Sequence, residues 1–152
     1  MKRALALAEK GRGFTSPNPM VGAVVVKDGD IVGEGYHEQY GQAHAEANAL
    51  NQAGDAALGA TMYVTLEPCN HSGNTGPCTH LIYEAGISRV VVGMTDPNPA
   101  VNGSGIAYLR SKGITVQEHV LEEKSRELNR GYLKYIITGK PYIMLKLAQT
   151  LD

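Results

Sequence analysis

The stretch MYVTLEPCNHSGNTGPCTHLIYEAGISRVVVGM, residues 62–94, decides the fold of this chain. It opens with a short apolar run at 62–66 and closes with a buried-type run at 90–94, and both have the length and composition of strands. Between them, 79–85 has helical character and ends at Gly86. A strand, a helix and a second strand in this order form a crossover unit, which makes the two strands parallel.

The flanking segments extend this unit into a larger sheet. Before it, 21–27 and 31–36 are apolar runs joined by Asp28-Gly29, a pair typical of a hairpin turn. After it, 114–117 continues the alternation of helix and strand. We therefore predict a three-layer α/β/α fold with a mixed sheet of about five strands. The other helices are predicted over 1–10, 43–53, 106–111 and 121–135.

Composition restricts the possible functions. The chain has 152 residues, 43% of them hydrophobic and 19% charged, as expected for one globular domain of ordinary size. A net charge of −1, one Phe and no Trp argue against a nucleic-acid partner, which needs basic and stacking surfaces. The run after Met1-Lys2-Arg3 is too short for a signal peptide, and no stretch is long enough to span a membrane. We therefore expect a cytoplasmic protein that does not bind membranes.

Four residues of the central stretch and the helix before it point to metal chemistry. His44 begins a predicted helix, and Cys69 and Cys78 follow the next strand. One imidazole and two thiolates suit Zn²⁺ and leave its fourth position open for water, as in a catalytic site. Glu46 lies two residues after His44, so it can face that open position without being a ligand.

Each of these residues also has a simpler interpretation. A single histidine on a helix is usually structural, and two cysteines are often only buried. The four residue types together, each at a loop or helix start, favour the catalytic interpretation. The pattern H-x-E followed by P-C-x-x-C is typical of zinc deaminases, although here eight residues rather than two separate Cys69 from Cys78.

The chain resembles the deaminase domain of the bifunctional riboflavin-biosynthesis deaminase/reductase family over essentially its whole length. The eight-residue spacing of the cysteines is typical of that family and atypical of cytidine or tRNA adenosine deaminases. The matching stretches are SPNP at 16–19, HAE at 44–46, TLEPCNH at 65–71, PC at 77–78 and DPNP at 96–99.

The resemblance implies a cytidine-deaminase-like fold and a hydrolytic activity. The expected reaction removes the 2-amino group of 2,5-diamino-6-ribosylamino-4(3H)-pyrimidinone 5′-phosphate as ammonia and leaves a uracil derivative. His44, Cys69 and Cys78 would hold one zinc per chain, and Glu46 would transfer protons. The resemblance further assigns the substrate pocket to Asn18, His37, His71, Asp96 and Asn98. Turn chemistry between two prolines remains the alternative for Asn18, and the roles of His37 and His71 also stay open.

Two positions depart from the family. Asn74 and Ser104 stand where many members carry basic residues that would hold the substrate phosphate. The N–H groups at the helix start 103–105 are a possible substitute, with a plain glycine loop as the alternative. A zinc deaminase of another aminopyrimidine or nucleobase is therefore the second hypothesis. A non-catalytic zinc module that supports a reductase partner is the third, and Glu46 argues against it.

The resemblance also divides the chain. We predict a deaminase domain over 1–139 and, over 140–152, a linker with the first strand of a reductase domain at 142–148. In the family that strand binds NADP near Ala148, so NADP is expected only where a reductase domain follows. An apolar strand without its sheet favours pairing with another chain, and we expect a homo-oligomer.

Overall fold

The computed structural model describes residues 1–71, 76–99 and 101–150 of the chain. Strands and helices alternate along most of its length. The strands are β1 (Gly22–Lys27), β2 (Asp30–Tyr36), β3 (Thr61–Leu66), β4 (Arg89–Met94) and β5 (Thr115–Gln117). The α-helices are α1 (Lys2–Ala8), α2 (Ala45–Ala53), α3 (Cys78–Glu84), α4 (Ser104–Ser111), α5 (Glu122–Leu128) and α6 (Arg130–Thr138).

The strands form one mixed sheet in the order β2-β1-β3-β4-β5. β1 is antiparallel to both β2 and β3, whereas β3, β4 and β5 are parallel. Asp28 and Gly29 both have positive φ, 52° and 93°, as a tight hairpin turn between β1 and β2 requires. The predicted mixed five-stranded sheet is confirmed.

Helices cover both faces of the sheet. The larger core lies under α2, α3 and α4, where alternate residues of the central strands pack against alanines of α2, Ile82 of α3 and Leu109 of α4. On the other face α1 packs on Val24 through Ala4 and Leu7. The three-layer arrangement therefore agrees with the prediction.

The helix α6 lies at the carboxyl ends of β3 and β4. Its Leu133 forms a small core with Leu66 and Met94, the last residues of those strands. Ligand sites of open α/β sheets lie at this edge of the sheet. We therefore expect α6 to line any site that forms there.

The predicted helix over 121–135 is wrong in one respect, because it is two helices. Asn129 separates α5 from α6, and its side chain bonds to the backbone of Met20. The amide nitrogen of Met20 donates to Asn129 Oδ1, and Asn129 Nδ2 donates to the carbonyl of Met20, both over 2.8 Å. This pairing joins the segment before β1 to the end of the domain.

Residues 140–150 form neither a helix nor a strand, so the strand expected over 142–148 is absent from the described part of this segment. Its apolar side chains Ile143, Leu145 and Leu147 are exposed to about 80%. A strand needs a neighbour for its backbone groups, and none of the described strands pairs with this segment. The domain boundary between residues 139 and 140 stays a prediction. Within the described parts of the chain, no helix combines the length and apolar character needed to cross a membrane.

Candidate active site

Three candidate metal ligands meet at the carboxyl edge of β3. His44 immediately precedes α2, Cys69 follows β3, and Cys78 is the first residue of α3. The Nδ1 atom of His44 lies 3.6 Å from Cys69 Sγ and 3.3 Å from Cys78 Sγ. The three ligand atoms all lie within 4.8 Å of one another.

These distances fit a zinc ion. Zinc bonds of about 2.1 Å to nitrogen and about 2.3 Å to sulfur, at the tetrahedral angle, place the two ligand atoms about 3.6 Å apart. Both described cysteines are free thiols. A hydrogen bond from Cys78 lowers the pKa of Cys69, and the same shared proton raises the pKa of Cys78. A cation displaces such a proton, so the donor set and its spacing fit one zinc per chain.

Glu46 lies beside the ligands without joining them. It is the second residue of α2 and only 3% exposed. Burial raises the pKa of Glu46 to about 7, and the nearby Cys69 thiolate adds to the shift, whereas His44 opposes it. A carboxyl group with a pKa near the working pH can both accept and donate a proton. Glu46 is therefore the candidate general acid–base of this site.

A cavity of about 510 Å³ is lined by Glu46 and by the candidate ligands His44 and Cys69. All five side chains predicted to bind substrate line it: Asn18, His37, His71, Asp96 and Asn98. The structure therefore brings the predicted site residues together around one cavity.

The histidine His37 is buried and has a fixed tautomer. Its Nδ1 lies 3.1 Å from the carbonyl of Ala43, which can only accept, so Nδ1 carries the proton. Its Nε2 then accepts from Asn18 Nδ2 over 3.2 Å. Burial lowers the pKa of His37, so the ring is neutral. This bond orients the Asn18 carboxamide, while the Asn18 backbone amide donates to the carbonyl of Thr15 and closes a turn, so both interpretations of Asn18 stay open.

The carboxylate of Asp96 is held from two sides. The hydroxyl of Tyr132 on α6 donates to both Asp96 oxygens, over 2.9 and 3.1 Å, and the amide of Asn98 donates to one of them. Burial raises the pKa of Asp96. His71 lies at the cavity rim with its side chain exposed.

Of the two interpretations of residues 103–105, the structure favours the plain glycine loop over the phosphate site. The amides of Gly103, Gly105 and Ile106 all donate to the Glu67 carboxylate, and the amide of Ser104 donates to the carbonyl of Val101. These N–H groups already have acceptors, so none remains for a phosphate. Asn74, the other departure from the family, lies outside the described residues.

Several residues of the cavity were not predicted from the sequence. Tyr132, Tyr135 and Ile136 come from α6, far from the motifs in the chain, and no local pattern marks them. Glu67 was quoted in a motif without a role. Its signal was available, because a glutamate directly between a buried strand and Pro68-Cys69 is an unusual place for a charge.

Comparisons with known proteins agree with this site. A family model described as the cytidine and deoxycytidylate deaminase zinc-binding region matches residues 1–94. The riboflavin biosynthesis protein RibD of Aquifex aeolicus is 59% identical over the whole chain, which spans 43% of that relative. The diaminohydroxyphosphoribosylamino-pyrimidine deaminase of Buchnera aphidicola is 50% identical over 141 residues, covering 93% of this chain and 96% of the relative.

A solved structure shows the same fold. It is a diaminohydroxyphosphoribosylaminopyrimidine deaminase/5-amino-6-(5-phosphoribosylamino)uracil reductase from Thermotoga maritima, with a TM-score of 0.89 and 50% identity. The match covers 93% of this chain and 41% of that one. The chain therefore belongs to the cytidine and deoxycytidylate deaminase family of zinc enzymes, in the branch that contains the pyrimidine deaminases of riboflavin biosynthesis.

Proposed function

We propose that this chain hydrolyses the 2-amino group of 2,5-diamino-6-ribosylamino-4(3H)-pyrimidinone 5′-phosphate in riboflavin biosynthesis. The observation that carries the proposal is the buried Glu46 beside the three ligands His44, Cys69 and Cys78, at a cavity large enough for a pyrimidine nucleotide. The identity to RibD proteins and to a stand-alone deaminase supports the choice of substrate.

We assign the proton transfers to Glu46. When bound, zinc supplies Lewis acidity that lowers the pKa of a water molecule to about 7. Glu46 takes a proton from the attacking water as the new C–O bond forms. It delivers that proton to the ring nitrogen, then takes the second proton from the new hydroxyl group and passes it to the departing amino group as the C–N bond breaks. Ammonia and a uracil-type carbonyl result, so atoms and protons balance.

The pocket residues would orient the ring. Asn18, whose Nδ2 is used by His37, presents its carbonyl oxygen as an acceptor for a ring N–H or amino group. Asp96, fixed by Tyr132, offers a second acceptor in the lining of the cavity. His71 and Asn98 complete the proposed contacts. The NADP contact at Ala148 remains a prediction for proteins in which a reductase domain follows.

A second candidate is a zinc deaminase of another aminopyrimidine or nucleobase. One observation favours it: among the described residues that line the cavity, none is Lys or Arg. A phosphorylated substrate usually meets at least one such side chain.

The two candidates are separated by one assay. Purified zinc-loaded protein is incubated in parallel with the diaminopyrimidinone phosphate, its dephosphorylated form, cytidine and guanine, and ammonia release is measured. We expect turnover of the phosphate, with the dephosphorylated form turned over less efficiently. Ammonia from cytidine or guanine alone would overturn the proposal in favour of the second candidate.

From composition we also retain the expectation of a cytoplasmic homo-oligomer without a nucleic-acid partner. Its support is the net charge of −1, the scarcity of aromatic stacking residues other than tyrosine, and the apolar segment after residue 140.

A further inference from the structure

The side chain of Glu67 is buried, with 4% of the residue exposed, and lies between two loops of the site. It directly precedes Pro68 and the metal ligand Cys69. It also lines the cavity, yet the deamination steps leave it without a task.

The carboxylate of Glu67 binds backbone amides of the loop after β4 and of the first turn of α4. Its Oε2 accepts from the amides of Asp96, over 3.2 Å, and Gly103, over 2.9 Å. Its Oε1 accepts from Gly105, over 3.0 Å, and Ile106, over 3.3 Å. Hydrogen bonds from neutral donors to a buried carboxylate are stronger than those to a neutral acceptor.

Close packing reinforces this junction. A Cβ atom added to Gly105 would lie 2.0 Å from the carbonyl oxygen of Pro68. The first turn of α4 therefore rests directly on the residue before Cys69, and Glu67 fixes it there. The same carboxylate holds the amide of Asp96, whose side chain faces the cavity.

We propose that Glu67 is a positioning residue, which sets the distance between the metal loop at 68–69 and the substrate-recognition loop at 96–98. Its carboxylate holds the amide of Asp96 in that loop and the amides at the start of α4, and through them the Asp96 and Asn98 side chains. This inference rests on the proposed function only for the assignment of loop 96–98 to substrate recognition.

The variant Glu67→Gln tests the proposal. A carboxamide has the same shape, but its nitrogen cannot accept a hydrogen bond, so one pair of amides loses its acceptor. Ile114→Ala is the matched control, because Ile114 is equally buried but lies at the opposite end of the sheet. Zinc content, kcat, KM and the amide hydrogen exchange of residues 96–106 are measured for both variants.

We expect Glu67→Gln to keep one zinc, to exchange the amides of 96–106 faster, and to raise KM by roughly 10- to 100-fold with a smaller fall in kcat. Ile114→Ala should lower the melting temperature with KM unchanged. Two outcomes would overturn the proposal: a KM for Glu67→Gln equal to that of the control, or loss of zinc from a Glu67→Gln protein that is folded.

The proposal stays testable if Glu67→Gln does not fold. Glu67→Asp keeps the charge with a shorter reach and should raise KM in the same direction. In the wild type the amides of Gly103, Gly105 and Ile106 should exchange slowly, and fast exchange there contradicts the proposal. A wild type that releases no ammonia from the diaminopyrimidinone phosphate refutes the proposed function, while the exchange rates still test the contacts of Glu67.

Discussion

Glu46 and His44 are two residues apart at the start of α2, and their surroundings separate their roles. His44 is half-buried and points its Nδ1 at two sulfurs, as a ligand does. Glu46 is buried, and the cost of burying its charge raises its pKa to about 7. The same turn of helix therefore carries one candidate metal ligand and the group to which we assign proton transfer.

The variant Glu46→Gln should keep zinc and fold but lose most of the activity. A glutamine has nearly the same shape but cannot move a proton, and general acid–base groups contribute about 10²–10⁴-fold. We expect kcat to fall within that range in an ammonia-release assay, with zinc content unchanged. Glu84→Gln is the control, because it makes the same change at an exposed glutamate on α3. An unchanged rate in Glu46→Gln would show that Glu46 is only a helix-start residue.

Replacing either sulfur ligand should release the metal. Because serine is a poor zinc ligand and metal binding is coupled to folding, Cys69→Ser and Cys78→Ser should each lose zinc and melt at a lower temperature. Metal analysis and thermal unfolding are the measurements. His80→Ala, an exposed histidine two residues after Cys78, should retain one zinc. One equivalent of zinc in both serine variants would refute the ligand assignment.

The carboxyl group of Asp96 should destabilise the fold at neutral pH. Burial raises its pKa above the ordinary 3.8, so its contribution to stability is present below that value and is lost as the pH rises through the folded-state pKa. Asp96→Asn keeps acceptors for Tyr132 and Asn98 but carries no charge. We expect its melting temperature to exceed that of the wild type by a few degrees at pH 8 and to match it near pH 4.

The KM of Asp96→Asn is the second quantity to measure. If Asp96 binds the substrate as proposed, the more stable variant should have a higher KM. If the difference in melting temperature between the wild type and Asp96→Asn does not change with pH, burial does not raise the pKa of Asp96.

At the scale of elements, glycines let α2 approach the sheet closely. A Cβ added to Gly35 of β2 would lie 2.4 Å from the carbonyl oxygen of Ala45, in the first turn of α2. Gly33 makes a similar contact further along, with its Cβ 2.2 Å from the carbonyl oxygen of Ala49. The position of the turn that follows His44 and carries Glu46 therefore depends on the two glycines of β2, which have no side chains.

The variant Gly35→Ala should displace the start of α2. Relief of this overlap costs about 1–3 kcal/mol of stability, and the displaced turn should bind zinc more weakly. Thermal unfolding and a competitive zinc titration measure the two effects. Gly131→Ala on α6 is the control, because the added Cβ would lie at an ordinary contact distance of 3.9 Å from its nearest neighbour, the Cβ atom of Tyr142. Zinc affinity equal to that of the wild type would show that α2 adjusts without moving its ligand.

Most elements could be predicted because their signals are local. The hairpin at Asp28-Gly29, the β3–α3–β4 crossover and the helix behind His44 each have their own pattern of turn residues and apolar spacing. The break at Asn129 could not be predicted, since its cause is a pairing with Met20 at a sequence separation of 109 residues. The strand expected over 142–148 failed for the related reason that its partner is not among the described strands.

At the scale of the whole molecule, the site also combines residues that the sequence predicts with residues that only the fold brings to the cavity. The catalytic motif was visible because His44, Glu46, Cys69 and Cys78 have rare spacing and rare chemistry. The wall contributed by α6 was not, because Tyr132 and Tyr135 are ordinary helix residues until the fold brings them to the cavity. Likewise, only the fold shows that Glu67 already occupies the amides at 103–106.

The segment after residue 140 should govern self-association and leave catalysis unchanged. Its apolar side chains are exposed and form no strand with the described sheet, so we expect them to contact another chain. Deleting residues 141–152 should shift the protein toward smaller species in sedimentation, with zinc content and ammonia release retained. A full-length variant with Ile143, Leu145 and Leu147 changed to Ser should behave like the deletion. Loss of zinc or folding on deletion would mean that the boundary at 139 is wrong.

The order in which the chain carries its site residues matters during protein synthesis. All three metal ligands lie within the first 78 residues, whereas α6, which supplies the cavity wall, begins at Arg130. The roughly 50 residues between Cys78 and Arg130 take the ribosome about 3–10 s to add, at its usual rate of about 5–20 residues per second. The nascent polypeptide therefore exposes a complete set of zinc ligands before the wall of its pocket has been translated.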